Sequence, residues 1–238
     1  MKKKNDEQMR DWSLLINTQE EKRCILVGAG EWNIDRLENL CDEFVIAVDG
    51  GTVHCRENGV IPDFYIGDFD SLIEPEREYI RKIRIASPDR VCILPVEKDD
   101  TDMLAAIKEG IGRGMQQFEI YGGMGKRLDH TIANLQCLLY LCAHGKKGYL
   151  IDQNCVVTVL QNETLKLKKP CAAVMSIFSM NGSAEGVSIR GMKYPLTNAT
   201  VTSSFPIGIS NEFQEEEATV TVEKGTLLLI IQRKNDQF

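Results

Sequence analysis

The sequence has few residues from which a zinc or disulfide site could be built. Only three of its 238 residues are histidines, and none of its eight cysteines stands in a Cys-x-x-Cys pair. Several cysteines lie in apolar stretches, which is typical of buried reduced thiols in a cytoplasmic protein. A zinc centre would have to be assembled from scattered pieces, and we do not expect one.

Long apolar runs are also absent. No segment approaches the ~20 apolar residues that a membrane-spanning helix needs, and the first 23 residues contain no apolar signal core. The 43% of hydrophobic residues is ample for the core of one large domain or two ordinary ones. We therefore expect a cytoplasmic globular protein without a membrane partner.

Basic residues are outnumbered by acidic ones, which gives a formal net charge of −7. Such a chain is a poor candidate for binding a nucleic-acid backbone, and we expect no nucleic-acid partner. Most of the excess acid lies before residue 148, in short Asp-rich motifs. This placement suits a metal–phosphate site better than an acidic interaction tail.

Strands and helices alternate after a polar extension of residues 1–22. The alternation predicts an α/β domain over residues 23–148, with three layers and a mostly parallel sheet. Its predicted strands are residues 24–27, 44–48, 64–66, 91–94 and 118–121, and its predicted helices include residues 32–41, 76–84, 102–110 and 129–144. Short β runs separated by glycine and asparagine turns then predict an all-β domain, a sandwich or barrel, over residues 149–238.

Two carboxylates follow the third predicted strand, in the segment Gly67-Asp68-Phe69-Asp70-Ser71. Residues two apart on an extended chain point the same way, so the charges of Asp68 and Asp70 repel unless a cation lies between them. Mg²⁺ takes hard oxygen ligands and usually completes its shell with water and substrate phosphates. An Asp-x-Asp pair also occurs in solvated turns, so this motif alone does not establish a metal site.

A second acidic cluster, Lys98-Asp99-Asp100-Thr101-Asp102, opens a predicted helix. Asp and Thr commonly cap helix N-termini, but three carboxylates in four positions exceed what capping needs. A metal or a substrate cation would relieve their mutual repulsion. We therefore interpret Asp99 and Asp102 as functional residues.

A glycine-rich loop, Gly122-Gly123-Met124-Gly125-Lys126-Arg127-Leu128-Asp129-His130, lies between a predicted strand and a predicted helix. Glycines let the backbone approach a ligand closely, free amides at a helix start bind phosphate, and Arg127 adds donors suited to phosphate oxygens. The spacing excludes a P-loop and the dinucleotide fingerprint. The acidic motifs, this loop and the weaker Asp49-Gly50-Gly51 all follow strand ends, where open parallel sheets bind ligands. Together they predict a magnesium–nucleotide site.

In this order the motifs resemble the thiamine pyrophosphokinase family in its bacterial form. The resemblance runs from about Ile25 to the C-terminus and says nothing about the N-terminal extension. The matching segments are Asp49-Gly50-Gly51, Pro62-Asp63, Gly67-Asp68-Phe69-Asp70-Ser71, Lys98-Asp99-Asp100-Thr101-Asp102, the glycine-rich loop with Ala133-Asn134, Gly191-Met192-Lys193-Tyr194-Pro195-Leu196 and Gly208-Ile209-Ser210-Asn211-Glu212.

The resemblance implies transfer of the pyrophosphoryl group of ATP to the hydroxyl of thiamine, which gives thiamine diphosphate and AMP. It also implies a homodimer, with thiamine held between the α/β domain of one subunit and the β domain of the other. By motif position, the implied Mg²⁺ ligands are Asp68, Asp70 and Asp102. The implied nucleotide contacts are Asp99, Thr101, Arg127 and the loop glycines Gly122, Gly123 and Gly125. The implied thiamine side comprises Asp129, Ser210 and Asn211, with Asp49 close to the site.

The acceptor hydroxyl is a poor nucleophile at neutral pH, so a carboxylate is expected to take its proton. Asp70 and Asp129 are both candidates for this base, Arg127 completes the expected catalytic set, and the sequence does not choose between the two acids. Two alternatives remain open. A Mg²⁺-dependent phosphohydrolase would usually show more histidines, and a non-catalytic nucleotide or thiamine sensor would not need every motif acid.

Overall fold

The computed structural model describes residues 22–33, 43–170 and 173–234. They form two compact units, one ending at Asp152 and the other beginning at Gln153. The expected N-terminal extension and most of the helix predicted over residues 32–41 lie outside the described residues. None of the helices in the described ranges is long and apolar enough to cross a membrane.

The first unit contains a six-stranded sheet in which every neighbouring pair is parallel. The strand order is β4-β3-β2-β1-β5-β6. The strands are β1 (Arg23–Val27), β2 (Phe44–Val48), β3 (Phe64–Gly67), β4 (Val91–Ile93), β5 (Gln117–Tyr121) and β6 (Lys147–Ile151). The chain builds outward from β1 to β4 and then returns to the other side of β1. The topological switch point, where such sheets bind ligands, therefore lies between β1 and β5.

Helices cover both faces of this sheet, as the burial of consecutive side chains along β1, β2 and β3 requires. The helices are α1 (Gly51–Glu57), α2 (Glu74–Ala86), α3 (Asp102–Gly112) and α4 (Leu128–Ala143). Cys55 of α1 and Ile80 of α2 share a core with Ile25 and Val45. On the other face, Gly110 of α3 packs so closely on Phe118 that an added Cβ would lie 2.6 Å from its ring. The predicted three-layer α/β arrangement is confirmed.

The second unit contains only antiparallel strand pairs among its described residues. Its strands are β7 (Cys155–Gln161), β8 (Thr164–Lys168), β9 (Ala173–Arg190), β10 (Leu196–Thr202), β11 (Asn211–Glu212), β12 (Glu217–Thr221) and β13 (Lys224–Arg233). The long strand β9 pairs with β13 and β11 over its first part and with β10 and β12 over its second. Asn181 and Gly182, both at positive φ, lie between these parts. The predicted β-rich second domain is confirmed.

The boundary between the units lies later than the sequence indicates. Residues 149–151 were expected to begin the β domain, but β6 continues the parallel sheet, with Ile120 opposite Leu150. Both are buried side chains in a short apolar run, and such a run is compatible with either domain until its pairing partner is known. The first unit therefore extends to Asp152 rather than to residue 148.

Candidate active site

Two backbone loops meet at the switch point of the parallel sheet. After β1, Gly28 N donates to Tyr121 O at 2.8 Å and Gly30 N donates to Gly122 O at 2.7 Å. A Cβ on Gly30 would lie 2.5 Å from Gly122 O, and Gly122 itself has φ +59°. Glycine is therefore required on both sides of this contact. The sequence indicated the two turns but not that they bind each other.

A side chain of α4 also holds the glycine-rich loop in place. Asn134 of α4 is buried and donates from Nδ2 to Gly123 O at 2.6 Å. A Cβ on Gly123 would meet Leu150 Cδ1 at 2.5 Å, and one on Gly125 would meet Glu31 Cδ at 2.4 Å. Packing alone thus accounts for these two predicted nucleotide-binding glycines. The loop is nevertheless fixed where the helix amides of α4 begin.

The ends of β2 and β3 are likewise joined by a backbone hydrogen bond and by close packing at a glycine. Asp49 N donates to Ile66 O at 2.8 Å, and a Cβ on Gly67 would lie 2.9 Å from Asp49 Cα. Ser71 Oγ donates to Asp49 Oδ2 at 2.9 Å. Asp49 has φ +47°, a conformation that costs energy in most residues and is frequent at functional sites. These contacts place Asp49 beside the segment that contains Asp68 and Asp70.

Burial raises the pKa of Asp49, a rise that the hydrogen bond from Ser71 opposes and the charges of Asp102 and Asp68 reinforce. Asp49 Oδ1 is buried and has no hydrogen-bond partner among the described residues. The carboxylates of Asp49, Asp68 and Asp102 therefore interact electrostatically, although they come from three separate stretches of sequence. This grouping at one sheet edge agrees with the expectation from the motifs.

In metal-free protein, Asp49→Asn is expected to raise the free energy of unfolding at pH 7 and to flatten its pH dependence. The folded-state pKa of Asp49 is raised above an unfolded value of about 3.9. The native state thus holds this proton more tightly, and the stability it contributes at low pH is lost as pH rises through the raised pKa. Asn also tolerates the left-handed backbone.

Urea titrations between acid and neutral pH would measure this effect, with Asp89→Asn as the control. Asp89 is an exposed carboxylate in a short 3-10 turn, so its neutralisation removes the same charge without relieving burial. Equal changes in the two variants would show that Asp49 is not strained by its surroundings.

Asp68 and Asp102 share one cation within the protein itself. Lys98 Nζ lies 2.9 Å from Asp68 Oδ2 and 3.1 Å from Asp102 Oδ1. Burial raises the pKa of Asp68, but the hydrogen bonds from Lys98 and from Asp70 N outweigh it and leave this pKa below its ordinary value. No role of Lys98 was predicted from the sequence. The one feature of the sequence that could have indicated a role is that Lys98 directly precedes a segment with three aspartates.

The segment between Asp68 and Asp70 is a turn and not an extended strand. β3 ends at Gly67, and the buried Phe69 has φ +58°. Asp70 N donates to Asp68 Oδ1 at 3.2 Å, while an Arg77 guanidinium donates to Asp70 O. The expectation that Asp68 and Asp70 lie on an extended chain was therefore wrong. The side chain of Asp70 is exposed.

The residues of the second acidic cluster, at the start of α3, make different contacts. Thr101 Oγ1 accepts a hydrogen bond from Leu104 N at 3.1 Å, which makes Thr101 the N-cap. Asp100 pairs with Lys108 at 2.6 Å, and Asp99 is exposed. Only Asp102 of this cluster faces Asp68, through Lys98. The capping function of Thr101 is thus observed, and a nucleotide contact by Thr101 stays a prediction.

These acidic residues fit a hard divalent cation by their chemistry. As they stand, no three acidic, histidine or cysteine side chains of the described ranges form a ready group around one ion. Asp102 Oδ1 is nevertheless buried, with Lys98 Nζ at 3.1 Å as its charged partner. Carboxylate oxygens with unused lone pairs are the ligands that Mg²⁺ prefers.

Arg127 and Asp129 form an exposed bidentate pair at the start of α4. Arg127 Nε lies 3.1 Å from Asp129 Oδ1, and its second nitrogen lies 2.6 Å from Oδ2. The hydrogen bonds from Arg127 outweigh burial, and with one from His130 N they lower the pKa of Asp129 to about 2. An arginine fork that holds one carboxylate so openly can equally take a phosphate.

In the second unit the two predicted thiamine-side residues differ in what they do. Asn211 is buried, accepts from Tyr194 N at 2.9 Å and donates to Tyr194 O at 2.8 Å. Ser210 is exposed, has φ +54°, and its backbone N donates to Ser176 Oγ at 3.0 Å. The amide of Asn211 is therefore occupied in holding Tyr194, whereas the hydroxyl of Ser210 faces solvent.

A parallel sheet with carboxylates and a glycine loop at its strand ends, followed by an antiparallel β unit, is typical of an α/β protein that binds a phosphate-containing ligand at that edge. Comparison with known proteins identifies its family. Residues 37–150 match the model described as thiamin pyrophosphokinase, catalytic domain. Residues 162–227 match that of the thiamin pyrophosphokinase vitamin B1 binding domain.

Relatives of known structure agree with these matches. The thiamine pyrophosphokinase of Bacillus subtilis is 32% identical over 209 residues, covering 87% of this chain and 96% of that protein. The Bacillus subtilis crystal structure has a TM-score of 0.80 at 30% identity, over 90% of this chain and all of that one. The yeast enzyme, at 14% identity, a TM-score of 0.74 and coverage of 92% and 89%, shows the shared fold. The chain belongs to the thiamin pyrophosphokinase family, and the predicted activity, thiamine diphosphokinase, is confirmed.

Proposed function

We propose that this chain transfers the pyrophosphoryl group of ATP to the hydroxyl of thiamine, and that it does so as a cytoplasmic homodimer using Mg²⁺. One observation supports this most directly. Asp68 and Asp102, from two separate motifs, both contact Lys98 Nζ, and Asp49 N is bonded to Ile66 O at the end of the strand that precedes Asp68. The thiols of Cys24, Cys55, Cys92 and Cys137, which form no disulfide, support the cytoplasmic location.

Asp68, Asp70 and Asp102 would hold the Mg²⁺, which when bound neutralises charge on the phosphates. Arg127 and the amides around Gly122, Gly123 and Gly125 are proposed to bind the phosphates, with Asp99 and Thr101 on the nucleotide side. Asp49 and Asp129 are proposed to face thiamine. Because thiamine is a cation, a pocket with surplus carboxylates attracts it as well as the metal.

Of the two carboxylates considered as the general base, Asp70 is better supported. The pKa of Asp129 is about 2, since Arg127 holds both of its oxygens, and a carboxylate of such low pKa is a weak proton acceptor. The side chain of Asp70 is exposed. We therefore propose that Asp70, through a carboxylate oxygen not bound to Mg²⁺, takes the proton of the thiamine hydroxyl and that Asp129 positions the substrate.

The proposed homodimer contact involves the second unit. Large apolar side chains cluster in sequence around Ser210 and are substantially exposed: Phe205 at 67%, Ile209 at 43% and Ile207 at 36%. Tyr194, which Asn211 holds by two hydrogen bonds, is 58% exposed. Exposed apolar residues grouped in this way are typical of a surface that another chain covers.

Ser210→Ala is expected to impair substrate binding, and Asn211→Ala is expected to lower stability. Ser210→Ala should raise the KM for thiamine several-fold with little change in stability, because it removes only an exposed hydroxyl. Asn211→Ala should lower the free energy of unfolding by about 1–3 kcal/mol, because both backbone groups of Tyr194 lose a buried partner. Steady-state kinetics and urea unfolding of both variants would separate the two roles. An unchanged KM in Ser210→Ala would remove Ser210 from the thiamine site.

The overall proposal is tested by measuring AMP and inorganic phosphate release from ATP with and without thiamine. We expect AMP only when thiamine is present, together with an equal amount of thiamine diphosphate. Phosphate release without thiamine would instead indicate a hydrolase. ATP binding without any turnover would indicate a sensor.

A further inference from the structure

A lysine ammonium holds the position between two of the carboxylates that the metal would need. Lys98 Nζ contacts Asp68 Oδ2 and Asp102 Oδ1 at 2.9 and 3.1 Å, and it also donates to Pro95 O at 3.2 Å. The side chains of Lys98, Asp68 and Asp102 are only 14, 12 and 25% exposed. This ammonium therefore compensates two partly buried negative charges.

A nearby lysine provides the comparison. Lys108 pairs with Asp100 at 2.6 Å, also at the start of α3, but these side chains are 44 and 35% exposed. The Lys108 pair is therefore an ordinary surface pair, which contributes little to the stability of the protein. Lys98 differs because it bridges carboxylates from two strand ends, one after β3 and one after β4.

We propose that Lys98 is the counterion of Asp68 and Asp102 and that it competes with the divalent cation for these two carboxylates, an inference that rests on the proposed function. An ammonium and a dication cannot occupy the same carboxylate oxygens, because they repel each other at such distances. Metal binding must therefore displace Lys98. A displaced ammonium is stabilised by phosphate oxygens, so nucleotide and metal should each strengthen the binding of the other.

Mn²⁺ binding in the absence of nucleotide tests the competition directly, with electron paramagnetic resonance to count free Mn²⁺. Lys98→Met keeps the length and apolar character of the side chain and removes its charge. We expect it to lower the Mn²⁺ dissociation constant on the order of tenfold, whereas Lys108→Met should leave it within about twofold. An unchanged or higher dissociation constant in Lys98→Met would overturn the proposal.

A second measurement uses the unmodified protein, so it does not depend on how the variant folds. Brief acetylation followed by peptide mass spectrometry reports how accessible each lysine is. Saturating Mg²⁺ should increase the labelling of Lys98 several-fold and leave that of Lys108 unchanged. Equal labelling of Lys98 with and without Mg²⁺ would show that the metal does not displace it, which contradicts the proposal.

The competition by Lys98 and the proposed function can be refuted separately. If thiamine-dependent AMP release is observed but neither Lys98 measurement changes, only the competition is wrong. If Lys98→Met binds Mn²⁺ more tightly but the protein forms no thiamine diphosphate, the counterion role stands and the proposed function fails.

Discussion

Asp102→Asn is expected to lower kcat for thiamine diphosphate formation on the order of a thousandfold, the largest catalytic effect of any single change considered. Asp102 is the one acid of its cluster that faces Asp68 across Lys98, and its Oδ1 is buried. An amide at this position supplies neither the charge nor the second oxygen that a hard cation needs.

Asp100→Asn is the matched control for this variant. It changes the same residue type two positions earlier and removes only a surface pair with Lys108. Asp100→Asn should keep kcat within about threefold of the parent value and its free energy of unfolding within about 1 kcal/mol. Similar losses of activity in the two variants would refute the assignment of Asp102 as a metal ligand.

Gly51→Ala is expected to destabilise the first unit by about 3 kcal/mol or more. A Cβ on Gly51 would lie 1.8 Å from Val27 O and 2.6 Å from Val27 C. Both atoms are backbone at the end of β1, so the clash cannot be relieved by turning a side chain. Either α1 or the end of the strand has to move, and with it the neighbouring Asp49.

Gly112→Ala offers a control within another helix. Gly112 is the last residue of α3 and has open space where its Cβ would be. Alanine favours a helix over glycine by up to about 1 kcal/mol, so this variant should be neutral or slightly more stable. Urea unfolding of the two variants compares them directly. A Gly51→Ala protein as stable as Gly112→Ala would contradict the described packing of α1 on β1.

The architecture could be predicted because it depends on local pattern. Apolar runs of strand length that end at Asp49, Gly67 and Gly122 are read directly from the sequence, and parallel sheets place such ends at one edge. The order of the motifs then indicated the family. The function was predictable for the same reason, since each motif lies within a few residues of its strand end.

The contacts that decide individual roles could not be predicted, since they join residues far apart in sequence. Lys98 reaches Asp68 across 30 residues, and Asn211 reaches Tyr194 across 17. The requirement for glycine at Gly51, in α1, depends on Val27 at the end of β1. The boundary at Asp152 likewise depends on which strand β6 pairs with. Spacing within a motif contains no information about such partners.

The central claim is that the whole pyrophosphoryl group passes from ATP to thiamine, and ATP labelled with ³²P at the β-phosphorus tests it most directly. After incubation with thiamine and Mg²⁺, chromatography should recover the transferred label in thiamine diphosphate, with AMP unlabelled. Label recovered in ADP, or in free pyrophosphate, would contradict the proposed reaction.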